Sequence, residues 1–225
     1  MRYCVPHPAA SSSLRYHSTI ETMRVIAGTY RSRLLLAPKG TETRPTSDRL
    51  RETLFNVIAS NIAGCRFVDL YAGTGAVGIE AISRGALHVW FAENAEPAMA
   101  SIRANLAALK ITHGFTLEER GVGAMLQRLG KTGQLMDVVY LDPPYEASDE
   151  YEGTLNFLGS ARGRVLLTSN AIVVAEHNSK TPLAARYGAL HYTRTKKQGD
   201  ASLSFYAFPP PDNGDAPAEG TEDGD

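Results

Sequence analysis

At 225 residues, 43% hydrophobic and 21% charged, the chain has the composition of a globular protein with room for one good core. No apolar run approaches the roughly 20 residues a membrane helix needs. Two distant cysteines, Cys4 and Cys65, exclude a disulfide framework or a C-x-x-C site and fit a reducing, cytoplasmic compartment. The formal net charge is −1, and the six histidines lack metal-ligand spacing, so no metal is expected.

Residues 1–22 carry three consecutive serines, two early prolines and little apolar periodicity. They are expected to be a disordered extension, or to precede a true start at Met23; Arg2 and Arg15 faintly suggest a transit peptide. At the other end, residues 209–225 open on three prolines and carry six acids and no base. Such a segment cannot offset the entropy of ordering with apolar burial, so an acidic disordered tail is expected. One domain, residues 23–208, remains, with a net charge of +4. The stretch 24–52 holds seven bases against three acids and so carries all of that excess.

A basic arm on a neutral body points to a polyanion; the alternative is a solvated charged face. Arg24 to Leu36 alternates enough for a small hairpin, and residues 23–45 are read as a basic hairpin arm. Arg44-Pro45-Thr46 leads into a helix capped by Thr46 or Ser47, with Leu50, Leu54, Val57, Ile58 and Ile62 as its buried stripe. Arg49 and Arg51 are expected off that stripe. Arg31, Arg33, Arg44, Thr46 and Arg49 are the candidate nucleic-acid contacts.

Val68 to Glu93 reads as strand, glycine turn, helix, strand. Phe67, Val68 and Leu70 make an apolar strand, with Asp69 near its carboxyl end. Gly73 and Gly75 allow a sharp turn and close ligand approach. Ile79, Ala81 and Ile82 give the helix a buried face, and Leu87, Val89 and Phe91 alternate as a second strand ending in Glu93. The run Gly73-Thr74-Gly75-Ala76-Val77-Gly78 matches G-x-G-x-x-G, and Glu93 lies where such sites place an acid for ribose hydroxyls. Two readings stay open at this point: a nicotinamide oxidoreductase, or a methyltransferase using S-adenosyl-L-methionine. The cofactor contacts fall to Asp69, Ala72, Gly73, Gly75, Glu93 and Asn94.

Further on, Ala95 to Leu109 reads as a long helix, Phe115 to Leu117 as a strand and Ala124 to Leu129 as a short helix. The apolar strand Met136 to Leu141 then runs into Asp142-Pro143-Pro144-Tyr145. The prolines fix the backbone and remove two donors, leaving carbonyls, a carboxylate and an aromatic ring in the crevice. That set suits a planar amino group, with acceptors for its N–H bonds and a π face for its ring. A dehydrogenase has no evident need of it, so the methyltransferase reading is favoured, with Asp142, Pro143 and Tyr145 as catalytic candidates.

Glu150 to Leu158 reads as a helix and Ala171 to His177 as a buried strand, with His177 a strand-end histidine rather than a ligand. Tyr187 to Thr193 and Ala201 to Phe208 look like an antiparallel pair joined by Lys196-Lys197-Gln198-Gly199. Alternating strands and helices predict an α/β fold: a parallel sheet covered on both faces, with that hairpin at one edge. Ligands in such sheets sit beyond the carboxyl ends of the strands, where Asp69, Glu93 and Asp142 all fall.

The sequence resembles the bacterial methyltransferases that modify guanine N2 in 16S rRNA of the small ribosomal subunit. The resemblance rests on RVIAGTYRSRLL (24–35), RPTSDRLRETLFN (44–56), DLYAGTGAVGIEAISRGA (69–86) and LDPPY (141–145), with a weaker match in KKQGDASLSFY (196–206). It implies a Rossmann-like, seven-strand class I methyltransferase sheet, S-adenosyl-L-methionine as donor and rRNA in an assembling subunit as partner. One departure stands out: Arg120-Gly121-Val122-Gly123 occupies a loop where the family usually offers a polar or acidic side chain to adenine. The competing readings are an adenine-N6 methyltransferase on DNA or RNA, and a catalytically silent RNA-binding assembly factor.

Overall fold

The computed structural model describes residues 23–36, 48–144 and 146–210. The readings made on residues 1–22, on 211–225, on Arg44 and Thr46, and on Tyr145 fall outside those residues.

Five strands run parallel: β1 (Arg66–Leu70), β2 (His88–Ala92), β3 (Phe115–Glu118), β4 (Met136–Leu141) and β5 (Leu167–Asn178). Three more, β6 (Arg186–Tyr187), β7 (Leu190–Gln198) and β8 (Ala201–Ala207), complete an eight-stranded sheet in the order β3-β2-β1-β4-β5-β8-β7-β6. The antiparallel part starts where β8 joins β5. The expected seven strands become eight because the two residues of β6 pair with Leu190 and His191. The predicted hairpin link also shifts. Lys196 and Lys197 belong to β7, and the turn is Gly199 and Asp200.

Helices cover both faces, as near-continuous apolar strands require. One face carries α1 (Asp48–Val57), α2 (Ala76–Ser83) and α3 (Glu96–Ala108), packed on Phe67, Val89, Phe91, Tyr140, Val174, Leu203 and Phe205. The other carries α4 (Val122–Thr132) and α5 (Ser148–Gly159), packed on Val68, Trp90, Val139, Val173 and Tyr206. A four-residue helix, α6 (Ala161–Arg164), capped by the Ser160 hydroxyl, links α5 to β5. The helix expected over 150–158 is α5, and those expected over 95–109 and 124–129 are α3 and α4.

The basic hairpin is reduced to a single bridge, Arg24 to Leu34, flanked by bonds from Val25 N to Arg33 O and from Leu35 N to Met23 O. It is clipped along α2 rather than held free. Buried Glu80 accepts from Ile26 N at 2.7 Å and Ala27 N at 3.0 Å, and Ser83 Oγ accepts from Tyr30 N at 2.9 Å while donating to Ala27 O. Leu36 exchanges bonds with Asn105 of α3.

Arg51 corrects the predicted helix stripe. It is 0% exposed, donates to Arg24 O and Asp48, and lies 4.0 Å from the Glu80 carboxylate. Phe55, also missed, is buried beside it, while Val57 is only half-buried. The buried arc is wide because α1 has the sheet beneath it and residues 23–36 beside it.

Candidate active site

β1 delivers Asp69 to the carboxyl edge of the sheet, fully buried, where its carboxylate accepts from Gly78 N at 2.9 Å. Burial pushes its pKa up to about 7; the Gly78 bond opposes this and the nearby Glu93 charge adds to it. The chain then turns through Tyr71, at φ 65, a left-handed backbone that aromatic residues rarely adopt. Ala72 ties back to β2 through Ala92 O, and Gly75 N donates to Ala72 O. Gly75, at φ 77, caps α2 with a backbone that only glycine adopts without strain. A Cβ on Gly78 would meet the Phe91 ring at 2.2 Å, so the third glycine permits close packing of helix on strand. A Cβ on Gly73 would meet nothing within 4 Å, so that glycine faces open space.

Glu93, at the end of β2, accepts from Gly73 N and Ala95 N, both at 2.8 Å. It braces the glycine turn, and a carboxylate keeps further lone pairs for ribose hydroxyls. Asn94 is exposed and lies against Gly121, whose Cβ position would be 3.4 Å from the Asn94 Cβ. In the loop where the sequence offers no acid to adenine, Glu118 at the end of β3 is engaged by Arg120, at 2.8 and 3.1 Å, and by Arg128 at 3.8 Å. The Arg120 hydrogen bond holds the Glu118 pKa below the ordinary range.

Asp142 follows β4 one residue beyond the Leu141–Ala175 pair, which places it beside Glu176 of β5. Alternation puts Asp69, Asp142 and Glu176 on one face of the sheet, that of α1 and α2. Asp142 keeps part of its surface open to the crevice, yet burial of its carboxylate, and then the charges of Glu176 and Asp69, raise its pKa well above the carboxylate range. Tyr140 donates its hydroxyl to Glu176. Pro143 is buried; its carbonyl accepts from Tyr151 of α5 at 3.1 Å, which leaves one lone pair, and Pro144 O accepts from Ala147 N. Helix α5 also holds the glycine side: Tyr71 donates to Glu150 at 2.6 Å and lies 3.0 Å from the Thr154 hydroxyl.

The structure therefore gathers Asp69, Ala72, Gly73, Gly75, Glu93, Asn94, Asp142 and Pro143 at the carboxyl edge of β1, β2 and β4. Sequence reasoning missed Glu176, Tyr71 and Tyr151. An acid inside the apolar run IVVAEH was the available signal for Glu176; the tyrosines gave none, since their roles lie in contacts across the crevice. Arg31, Arg33 and Arg49 are exposed, but the tip of the 23–36 loop rests on Ser83, at the far end of α2. At 1.5 Å per residue, eight residues put that tip about 12 Å from the glycine turn. His177 is a satisfied buried histidine: Nδ1 meets the carbonyls of Asn178 and Thr181, and Nε2 meets the Ser204 hydroxyl. A shallow cleft at the opposite edge of the sheet is bordered by Cys65, Arg66, Asp137 and Thr168, where Arg66 and Asp137 neutralise each other.

The backbone amides of the glycine turn, the acid at the end of β2 and the open side of Gly73 suit an adenosine-type cofactor, and Asp142 with Pro143 suits an amino group. Comparison with known proteins points the same way. A family model described as Conserved hypothetical protein 95 matches residues 23–207. YlbH of Bacillus subtilis (strain 168), provisionally named an rRNA methyltransferase, is 33% identical over 184 residues, covering 82% of this chain and 98% of that protein. Ribosomal RNA small subunit methyltransferase D of Escherichia coli (strain K12) is 31% identical over 190 residues, covering 84% and 92%. The solved structure of yhhF from Escherichia coli, provisionally described as a methyltransferase, aligns with a TM-score of 0.69 at 29% identity, covering 82% of this chain and 97% of that one.

Proposed function

The chain belongs to the Conserved hypothetical protein 95 family, and from that premise we propose that it methylates the exocyclic N2 of a guanine in small-subunit rRNA. S-adenosyl-L-methionine is the cofactor, held by the glycine turn and Glu93, and supplies an electrophilic methyl group when bound. The substrate is 16S rRNA, met within an assembling subunit in the cytoplasm. Among the described residues no helix is long and apolar enough to cross a membrane.

The observation that carries this reading is the juxtaposition of Asp142 and the Pro143 carbonyl with the glycine turn, on a fold whose relatives are named for rRNA methylation. A guanine amino group is a poor nucleophile because its lone pair is delocalised into the ring. Asp142 and the free lone pair of Pro143 O accept its hydrogens and turn the nitrogen lone pair out of the ring plane. As nitrogen gains carbon it loses one proton, and the Asp142 carboxylate is the acceptor placed to take it. Tyr145 stacks on the base, which must leave its RNA neighbours to enter. Tyr71, bound to Glu150 of α5, and Tyr151 of α5, bound to the Pro143 carbonyl, hold the two sides of the crevice at fixed separation, so positioning supplies much of the acceleration. Arg31, Arg33, Arg44, Thr46 and Arg49 are assigned to RNA backbone contacts.

The test is transfer of labelled methyl to small-subunit particles, naked rRNA and duplex DNA, with mass spectrometry of the product nucleoside. Methylguanosine from rRNA supports the reading; methyladenine from DNA would replace it. Asp142→Ala should lower transfer by about 100-fold or more while cofactor binding is retained. Near wild-type transfer in that variant would remove Asp142 from the mechanism.

A further inference from the structure

We propose that the carboxyl-terminal half of β7, with Arg194 and Lys196, is a rim on which single-stranded RNA docks beside the catalytic acid. The inference rests on the RNA substrate proposed above.

Four observations carry it. First, cross-strand register aligns this rim with the site. Glu176 pairs with Leu203, and Leu203 pairs with Lys196. Asp142 lies beside Glu176, one residue beyond the Leu141–Ala175 pair. Asp142, Glu176, Leu203 and Lys196 thus form one row across four strands. At about 4.8 Å per strand, Lys196 lies roughly 14 Å from Asp142, about four nucleotides of a stacked strand.

Second, the faces agree. Leu203 and Phe205 belong to the core beneath α1 and α2, so Lys196 and Arg194 project on the face that holds Asp69, Asp142 and Glu176. Arg194 rests on the Phe205 ring, 5.3 Å from its centroid, which fixes its place along the rim. Third, the charge is available. Residues 192–197 are all exposed, and no ion pair involving Arg194, Lys196 or Lys197 is found among the described residues. The strand LHYTRTKKQ contains no acid. Fourth, the outer edge is open: β6 pairs only with Leu190 and His191 and Tyr192 N bonds Ala185 O, so among the described residues no strand pairs with the outer side of residues 193–198.

The 23–36 loop does not offer the same approach, since Arg31 sits at the far end of α2. Within the described row Asp142, Glu176, Leu203 and Lys196, the positive charge comes from β7. Lysines on an open edge strand have one competing use, to deter pairing with another chain, and the test separates the two.

The full-length chain and its Arg194→Ala/Lys196→Ala variant are compared by salt titration on poly(U), a sequence-neutral single strand, and by methyl transfer to small-subunit rRNA. Binding of S-adenosylhomocysteine, read by calorimetry, reports whether the fold and cofactor site survive. The expected result is a logarithmic salt slope reduced by about 0.7 per lost contact, so about 1.4 for two. The KM for rRNA should rise several-fold, with S-adenosylhomocysteine affinity at the wild-type value. An unchanged slope and KM overturns the rim and leaves the methyltransferase reading intact. A variant that keeps the slope but self-associates on a sizing column assigns these two cations to guarding the edge, and also overturns the proposal. A wild type that binds poly(U) with a slope the variant loses, yet methylates no rRNA, supports the rim and sinks the rRNA reading.

Discussion

Asp69 has two duties that pull against each other. Its carboxylate accepts from Gly78 N and so fixes the first turn of α2, which favours the ionised form; its burial favours the neutral one. Burial dominates, and the group titrates at about 7, against an ordinary aspartate near 4. Between those values the folded chain holds a proton that the unfolded chain has released. Stability conferred below pH 4 is therefore lost progressively as pH rises to about 7, by on the order of 1.4 kcal/mol per unit. Asp69→Asn keeps the acceptor and removes the titration. Denaturant unfolding at pH 5 and pH 7 should show the variant gaining on the wild type by about 2–3 kcal/mol over that interval. A constant difference at the two pH values would mean that Asp69 is ionised in the fold.

At the scale of elements, the strands were the most legible part of the sequence. β1, β2 and β4 are short apolar runs bounded by glycine or proline, and each ends where its acid was expected, because the sheet buries both faces and leaves only the carboxyl edge for polar groups. Helix α1 was misread. Period alone places Arg51 next to Leu50 and four before Phe55, inside a wide apolar arc, but a charge there reads as solvated. What allows its burial lies far away in sequence: the Arg24 carbonyl and the carboxylate of Glu80. Glu80 likewise sits within a helix buried nearly all round; besides Arg84 one turn on, its partners are backbone amides of the 23–36 loop. Neither residue announces such partners. Glu80→Ala should therefore cost about 3–5 kcal/mol, since it strips two amides of their acceptor and leaves Arg51 without its buried countercharge. Glu80→Gln, which keeps an acceptor, should cost less. Hydrogen exchange at Ile26 and Ala27 locates the effect; protection unchanged in Glu80→Ala would show that the loop is held by its Ser83 and Asn105 contacts alone. The loop's own charges make a separate prediction. Arg31→Ala/Arg33→Ala should flatten the salt slope of RNA binding by about 0.7–0.9 for each arginine that meets a phosphate, and leave S-adenosylmethionine affinity unchanged. A slope equal to the wild type would make those two arginines a solvated face.

For the whole molecule, charge is divided by region rather than spread. Residues 23–208 carry +4 and residues 209–225 carry −6, so a chain that is nearly neutral in sum has a basic body. Counterion release makes RNA affinity depend on the local positive field, whereas a tethered acidic segment competes with phosphate for the same surface. Neither terminal segment has an apolar pattern to bury, and the family match spans residues 23–207. A chain of residues 23–208 should then unfold at the same denaturant midpoint as the full chain. It should bind RNA more tightly at low salt and match the full chain as salt rises and the Debye length shrinks from about 30 Å at 0.01 M to about 3 Å at 1 M. The measurement is a pair of salt titrations with the denaturation curves beside them. A lowered midpoint would place one of the ends in the packing. Equal affinity at every salt concentration would show that the acidic segment does not reach the RNA-binding face.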